Sequence, residues 1–399
     1  MSIPELLAPA GNLEKLETAY NYGADAAYIG TSHFSLRSRA DNFATNAIAD
    51  LERIKDGKKL FGALNIYFHD SDLEKLESTI EDIAAYPFDA LIVSDPGAAK
   101  LLQRNLPSKK LHLSTQANCV NSESVKLYRD LGFERIILGR ELSLRQIEAI
   151  RKSVPDIELE VFVHGAMCWA YSGRCYLSAF LASRSANKGS CAHACRWEYR
   201  VLEEKERPGE YLPIEEGENY TTVLSSKDLY MLDHVHMLID AGVDSLKIEG
   251  RMKSAYYAAI ITRAYRKAID KAAGVFSGDI EPYREEVFKV SHREFSTGFY
   301  FDDPAAIEPN LTEYARNYIF LGIIGEENEP GIFSIDVKNT ITAGEPIEYV
   351  GPDVLFIEDI DFTLTDKNHL KLNKADHGKE NYLQTNKTVK PGYLIRKKL

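Results

Sequence analysis

Across 399 residues, 44% hydrophobic and 27% charged, the chain has the composition of an ordinary globular protein, with apolar residues for one large core and a smaller second one. A net charge of −12 argues against non-specific binding to nucleic acid and leaves only a local basic face for such a role. The opening MSIPELLAPAGN has no basic segment followed by an apolar run, and no stretch approaches the ~20 apolar residues of a membrane helix, so a cytoplasmic protein without membrane partners is expected.

Short apolar, β-branched runs alternate with stretches of helical period through the first 250 residues. The predicted strands are residues 3–9, 25–30, 59–67, 89–95, 111–117, 135–140, 157–165 and 244–250. Segments such as LEKLETAYNYG and SVKLYRDLG lie between them, with apolar residues three and four apart and a glycine closing the helix. Eight strands with helical crossovers predict an α/β fold, a (β/α)8 barrel of the TIM type over residues 1–300. An open doubly wound sheet is the alternative, but no GxGxxG follows the first strand. The regular beat breaks after the seventh strand, where an insertion at about residues 165–225 ends in the acidic stretch EEKERPGEYLPIEEGE, read as a hairpin with a solvated turn. AYYAAIITRAYRKAIDKAAG then predicts a helix. The runs NYIFLGIIG, GIFSIDVKN, EPIEYVG, FTLTD and KPGYLIRKK predict a separate small β-barrel over residues 316–399.

The insertion carries four of the five cysteines, Cys168, Cys175, Cys191 and Cys195, spaced C-x6-C-x15-C-x3-C. In a reducing compartment such a cluster reads as metal ligands or catalytic thiols before disulfides. Four thiolates suit a cubane iron–sulfur cluster, and the six-residue first gap departs from the short knuckles of structural zinc sites, so spacing alone leaves [4Fe–4S] and Zn2+ both open. Cys119 reads as an ordinary buried thiol.

From Glu160 the sequence runs E-V-F-V-H-G-A-M-C-W-A-Y-S-G-R-C-Y-L-S. It resembles, position for position, the pattern that defines peptidase family U32, the collagenase-like proteins. LLAPAGN, STQANCVN, LGRELSL, RSANKGSCAHACR, SLKIEGRMKS and SHREFSTGFYF extend the resemblance over about residues 3–301. The family name implies proteolysis, yet HExxH and GxSxG are absent. A Cys168–His164 pair would serve a thiol peptidase but leave three neighbouring thiols unexplained. The resemblance also implies another chemistry, because several family members are oxygen-independent hydroxylases that hold a [4Fe–4S] cluster. They act on a tRNA wobble uridine, on ribosomal RNA or on ubiquinone precursors, and prephenate, a dicarboxylate, is the implied co-substrate of the RNA enzymes. Full length and the added β-barrel make this chain most similar to the tRNA-hydroxylating branch. A non-catalytic subunit of a hydroxylase pair, with a related partner subunit, is a third reading.

On that reading Cys168, Cys175, Cys191 and Cys195 are the metal ligands. Polar residues at the C-terminal ends of the predicted strands, where barrels carry their chemistry, are the remaining candidates. Lys247, Arg251 and Arg140 are candidate carboxylate holders. Glu141, Gln116, Asn65 and Asp95 fall at the same rim. His164 and Glu249 form the candidate acid/base pair, with Lys247 beside them. Arg184 and Arg196 flank the cysteines as candidates to hold phosphate or to neutralise an anionic cluster. Between Lys367 and Leu399 nine basic residues face two acidic ones, which reads either as a solvated basic tail or as a polyanion-binding surface suited to tRNA.

Overall fold

The computed structural model describes residues 3–31, 33–36, 43, 45–167, 175, 178, 182, 184, 191–192, 215–217, 220–222, 226–301 and 315–399. Its first part is a closed barrel. Strands β1 (Glu5–Pro9), β2 (Ala26–Gly30), β3 (Lys59–Leu64), β4 (Ala90–Val93), β5 (Lys110–Leu113), β6 (Arg135–Ile137) and β7 (Glu158–Ala166) pair in sequence order, all parallel. A short hairpin, β8 (Glu215–Gly217) with β9 (Tyr220–Thr222), and the strand β10 (Asp228–Tyr230) precede β11 (Ser245–Ile248). β11 pairs with both β7 and β1 and closes the ring. All eight predicted barrel strands are therefore present. The predicted acidic hairpin falls largely outside the described residues, and β8–β9 pairs at its end.

The helices between the strands start where the sequence supplies caps. Asn12, Asp95, Asn121 and Ser254 each accept a hydrogen bond from a backbone N–H of the first turn, and Ser143 forms a capping box with Gln146. The predicted helix after β11 spans Ala255–Ala272, and every residue from Ala255 to Tyr265 is buried. A surface helix of a barrel buries one stripe; this one is covered on a second side by the C-terminal unit.

That unit corrects one expectation. It is an open antiparallel sheet rather than a closed barrel. Eight strands lie in the spatial order Ile357–Asp359, Ile347–Val350, Leu394–Lys398, Tyr318–Glu329, Ile332–Val337, Asn381–Gln384, Thr363–Asp366 and Lys371–Leu372. The first and last do not pair, so the sheet curls only halfway round its own core of Leu321, Tyr349, Leu364 and Ile395. Nor is it a free appendage. Val350 and Leu394 join the barrel's apolar core, and the Tyr22 hydroxyl donates to Val350 O at 2.7 Å.

The junction is centred on buried charge. Arg396, fully buried, donates to Glu286 at 2.6 and 2.9 Å, to Glu348 at 2.7 Å and to the Tyr256 hydroxyl at 2.8 Å. Arg263 donates to the carbonyls of Gly351 and Val354 at 2.6 and 2.7 Å and to Glu286 at 3.3 Å. Burial alone would raise the Glu286 carboxyl, but Arg396 and Lys289 hold it below the usual range.

Candidate functional site

A cavity opens at the C-terminal end of the barrel strands. Tyr28, Leu36, Ala63, Asn65, Ile92, Ser114, Thr115, Gln116, Ile137, Arg140, Phe162, Lys247, Glu249 and Arg251 line it. Six of the predicted site residues are thus brought together: Asn65, Gln116, Arg140, Lys247, Glu249 and Arg251. Asp95 and Glu141 are not in the lining. Asp95 instead caps a helix, accepting from Ala98 N at 2.8 Å.

Several lining side chains are placed by a nearby partner. Asn65 Oδ1 accepts from Leu36 N at 3.2 Å, and Arg140 Nη1 donates to Ala166 O at 2.8 Å with its guanidinium 4.8 Å from the Phe162 ring centroid. Glu249 Oε2 accepts from the Tyr28 hydroxyl at 3.0 Å, and Glu249 N donates to His164 O at 2.8 Å. Two glycines make the close approaches. Gly165 has φ +105°, and a Cβ there would overlap the Glu249 carbonyl; a Cβ on Gly11 would meet the Arg251 carbonyl. The LLAPAGN and SLKIEGRMKS motifs are therefore in contact.

A buried network of ion pairs adjoins the cavity through Lys247. Lys247 Nζ donates to Glu160 Oε1 at 2.8 Å, Arg135 Nη1 to Glu160 Oε2 at 3.0 Å, and Arg135 Nη1 to Glu5 Oε1 at 2.6 Å. Burial opposes ionisation of Glu5, yet Arg135 and Lys59 hold its carboxyl below the usual range. His112 is packed edge-on to Phe61 at 4.7 Å, and burial followed by the charges of Arg135 and Lys247 drives its pKa well down, so it is neutral.

His164 is the main correction to the expected site. It does not line the cavity. Its ring lies between Tyr230, Tyr257, Tyr265 and Phe295, with centroids at 5.4 to 6.1 Å, and Nδ1 is 3.3 Å from the Tyr265 hydroxyl. Burial pushes its pKa down to about 3. The cause is a register shift. Lys247 pairs with Phe162 and Ile248 with His164, so Val163 is an extra residue on β7, and the faces invert past it. Glu160 and Phe162 point inward; His164 points outward against the helix Ala255–Ala272.

The cysteine segment leaves β7 and returns beside it. β10 pairs antiparallel with the end of β7, Asp228 opposite Ala166 and Tyr230 opposite His164. Ser226 Oγ donates to Met167 O at 2.7 Å, while Arg293 holds Asp228 through Nη2 at 2.6 Å and Nε at 3.1 Å. Arg293 and Phe295 come from the SHREFSTGFYF motif, whose Tyr300 hydroxyl donates to Phe162 O at 2.6 Å. That motif is a clamp on the segment's two ends.

Cys168, Cys195 and Arg196 lie outside the described residues. Cys175 and Cys191 are half-buried and neither is in a disulfide, so both thiols are chemically open to metal ligation. Among the described residues no three His, Cys, Asp or Glu side chains come together as a metal site. Arg184 Nη2 lies 3.4 Å from Cys191 O, and Ser178 Oγ accepts from Ala192 N at 2.8 Å. Cys119 is fully buried in the apolar core, its thiol pushed up to about 12 by burial. No helix among the described residues is long and apolar enough to cross a membrane.

Of the nine basic residues near the C-terminus, Arg396 is consumed by the domain junction and Lys397 pairs with Glu345 at 2.6 Å. Lys367, Lys371, Lys374, Lys379, Lys387, Lys390 and Lys398 remain exposed. Polar lining residues that strand-end reasoning passed over are Tyr28, in the middle of β2, and Ser114 and Thr115, just after β5; Glu160 and Arg135, in the buried ion-pair network, were missed as well.

Comparison with known proteins agrees with this layout. The model of Peptidase family U32 matches residues 11–310, and that of the Peptidase family U32 C-terminal domain matches residues 316–396. The tRNA hydroxylation protein P of Escherichia coli (strain K12) is 38% identical over 405 aligned residues, covering 90% of this chain and 88% of its own length. The tRNA hydroxylation protein P1 of Bacillus subtilis (strain 168) is 35% identical, covering 99% of this chain and 94% of its own. The collagenase of Porphyromonas gingivalis (strain ATCC BAA-308 / W83) is 33% identical over 74% of this chain and 73% of its own length.

Proposed function

The chain belongs to peptidase family U32, and from that membership and the cavity we propose that it is a cytoplasmic tRNA-modifying enzyme that hydroxylates a wobble uridine without O2. The observation that carries this reading is a cation-rich cavity joined to the root of the cysteine segment: Arg140, which lines the cavity, donates to Ala166 two residues before Cys168. Cys168, Cys175, Cys191 and Cys195 would hold a [4Fe–4S] cluster, Zn2+ being the alternative occupant. When bound, the cluster would supply a redox-active metal centre.

The chain's own side chains do the rest. Arg140 and Arg251 bind and orient the carboxylates of a small diacid, for which prephenate is the proposed co-substrate, and Lys247 adds an N–H at the cavity floor. Glu249, fixed by the Tyr28 hydroxyl, is placed to take or return a proton at the reacting group. Asn65, Ser114, Thr115 and Gln116 offer donors and acceptors for a base edge. Arg184 and Arg196 are the proposed phosphate contacts next to the segment, and the exposed lysines of residues 367–398 supply further contacts of that kind.

A peptidase is the second reading, favoured by the Porphyromonas relative. Against it, His164, the expected partner of Cys168, is turned away from the cavity in an aromatic cage. A partner subunit without its own activity is the third. The test is mass spectrometry of tRNA nucleosides from a strain lacking the gene, beside iron, sulfide and zinc assays on anaerobically purified protein. Loss of wobble hydroxyuridine is the expected result. An unchanged tRNA profile together with metal-dependent gelatin cleavage by pure protein would overturn it.

A further inference from the structure

Glu160 touches no solvent and does not line the cavity, yet one of its oxygens decides where a cavity cation sits. Its Oε1 accepts from Lys247 Nζ at 2.8 Å, and its Oε2 accepts from Arg135 Nη1 at 3.0 Å. The Lys247 ammonium lies 4.4 Å from the Tyr28 ring centroid and 5.5 Å from that of Phe162, and both rings line the cavity. Tyr28 is fixed in turn by its hydroxyl on Glu249 at 3.0 Å. A lysine stem has many rotamers, so an ammonium left without a partner would wander or swing out to water. One carboxylate from below and two aromatic faces from the sides leave it one position.

We propose that Glu160 is a positioning residue of the active cavity: it fixes the Lys247 ammonium at the cavity floor so that an N–H meets an anionic group of the bound small acid. This deepens the proposed function and rests on it for the identity of that acid. The buried charge network is itself a ready explanation for a structural role, and the fold provides the control. Glu5 holds Arg135 at 2.6 Å, in the same network and almost as deeply buried, but it touches neither Lys247 nor the cavity lining. A merely structural carboxylate would behave alike at both positions.

The experiment compares full-length wild type, Glu160→Gln and Glu5→Gln by two readouts. Acetylation of Lys247 by acetic anhydride, followed by peptide mass spectrometry, reports the placement of the amine without any need for turnover. The KM for prephenate in tRNA hydroxylation reports its use. Glu160→Gln should speed Lys247 acetylation severalfold and raise KM about tenfold or more, the loss expected for one charge-assisted hydrogen bond. Glu5→Gln should lower the melting temperature and leave both readouts near wild type. Wild-type acetylation and KM in Glu160→Gln, or equal changes in both variants, would overturn the proposal. If turnover does not depend on prephenate, the co-substrate reading falls and the acetylation arm still decides the placement. Should Glu160→Gln fail to fold, Glu160→Gln combined with Lys247→Met removes both halves of the pair. Its KM should equal that of Lys247→Met alone, and any further rise would show Glu160 acting by another route.

Discussion

Replacing Glu286 by Gln removes one negative charge and almost no volume from the domain junction, and the cost can be worked from the contacts. The carboxylate accepts two hydrogen bonds from Arg396, one from Arg263 and one from Lys289, at 2.6 to 3.3 Å. Breaking one side of a buried ion pair costs about 3–5 kcal/mol, because the partner charge stays behind. Here Arg396 keeps Glu348 and Tyr256, and Arg263 keeps two carbonyls, so the lower end, about 3 kcal/mol, is expected. How that appears on heating depends on coupling. If the whole chain melts together, an unfolding entropy near 2.1 cal/mol/K per residue converts 3 kcal/mol to a shift of only about 4 °C. If residues 315–399 melt alone, the same loss moves their transition by about 12–24 °C and splits the profile. The shared core predicts the single, smaller shift. The pH dependence has a definite sign. The folded pKa of Glu286 is depressed, so its contribution is complete above the unfolded value of 4.5 and is lost as pH falls through the folded value. Calorimetry and urea titration of both proteins from pH 7 downward provide the measurement. A loss under about 1 kcal/mol at pH 7, or a difference that grows on acidification, would refute the reasoning.

His164 is buried and neutral, with a folded pKa about 3 against an ordinary 6.5, so wild type should lose stability as pH falls below 6.5. His164→Phe should flatten that slope in urea midpoints and keep hydroxylation; a folded but inactive variant would restore the histidine to the mechanism. Arg140→Ala should weaken binding of the small diacid about ten- to hundredfold in calorimetric titration, with the melting temperature nearly unchanged. Cys175→Ala or Cys191→Ala should abolish the broad visible absorption of the anaerobic protein, while Cys119→Ala retains it; a colourless wild type with stoichiometric zinc would sink the cluster. Lys371→Glu with Lys374→Glu should lower tRNA affinity and reduce the slope of log affinity against log salt by about one for each lysine–phosphate pair removed. Deleting the C-terminal unit would be a poor substitute, since it strips the cover from Arg263 and the helix Ala255–Ala272.

The eight barrel strands were legible because each is an apolar β-branched run bounded by turn residues, and the long helix because its period is unbroken. In the C-terminal unit the longer strands were legible, but pieces such as Ile341–Thr342 and Lys374–Ala375 are too short to carry a pattern. Whether a sheet closes depends on the pairing of its two edge strands, which no local pattern encodes. For the cavity, the rule that barrel strands end in chemistry brought six residues to the right place. It failed at His164, where a single extra residue inverts the strand, and it missed Glu160 because buried charge one layer down looks like core. Arg293 sits in a legible motif, but its target, Asp228, is chosen by tertiary contact alone.

The clamp at the mouth of the cysteine segment bears on the order in which this protein is made. Every residue that seals the gap, Met167 and Ala166 on one side and Ser226, Asp228 and Arg293 on the other, lies outside residues 168–225. The barrel can therefore close its ring, β11 against β7 and β1, with the thiols still empty. If the four cysteines hold the proposed cluster, its delivery would then be a late step performed on a barrel already closed. On the proposed iron–sulfur reading, starving a cell of iron would accumulate a stable, colourless precursor that can still be charged, rather than an aggregate cleared by proteolysis.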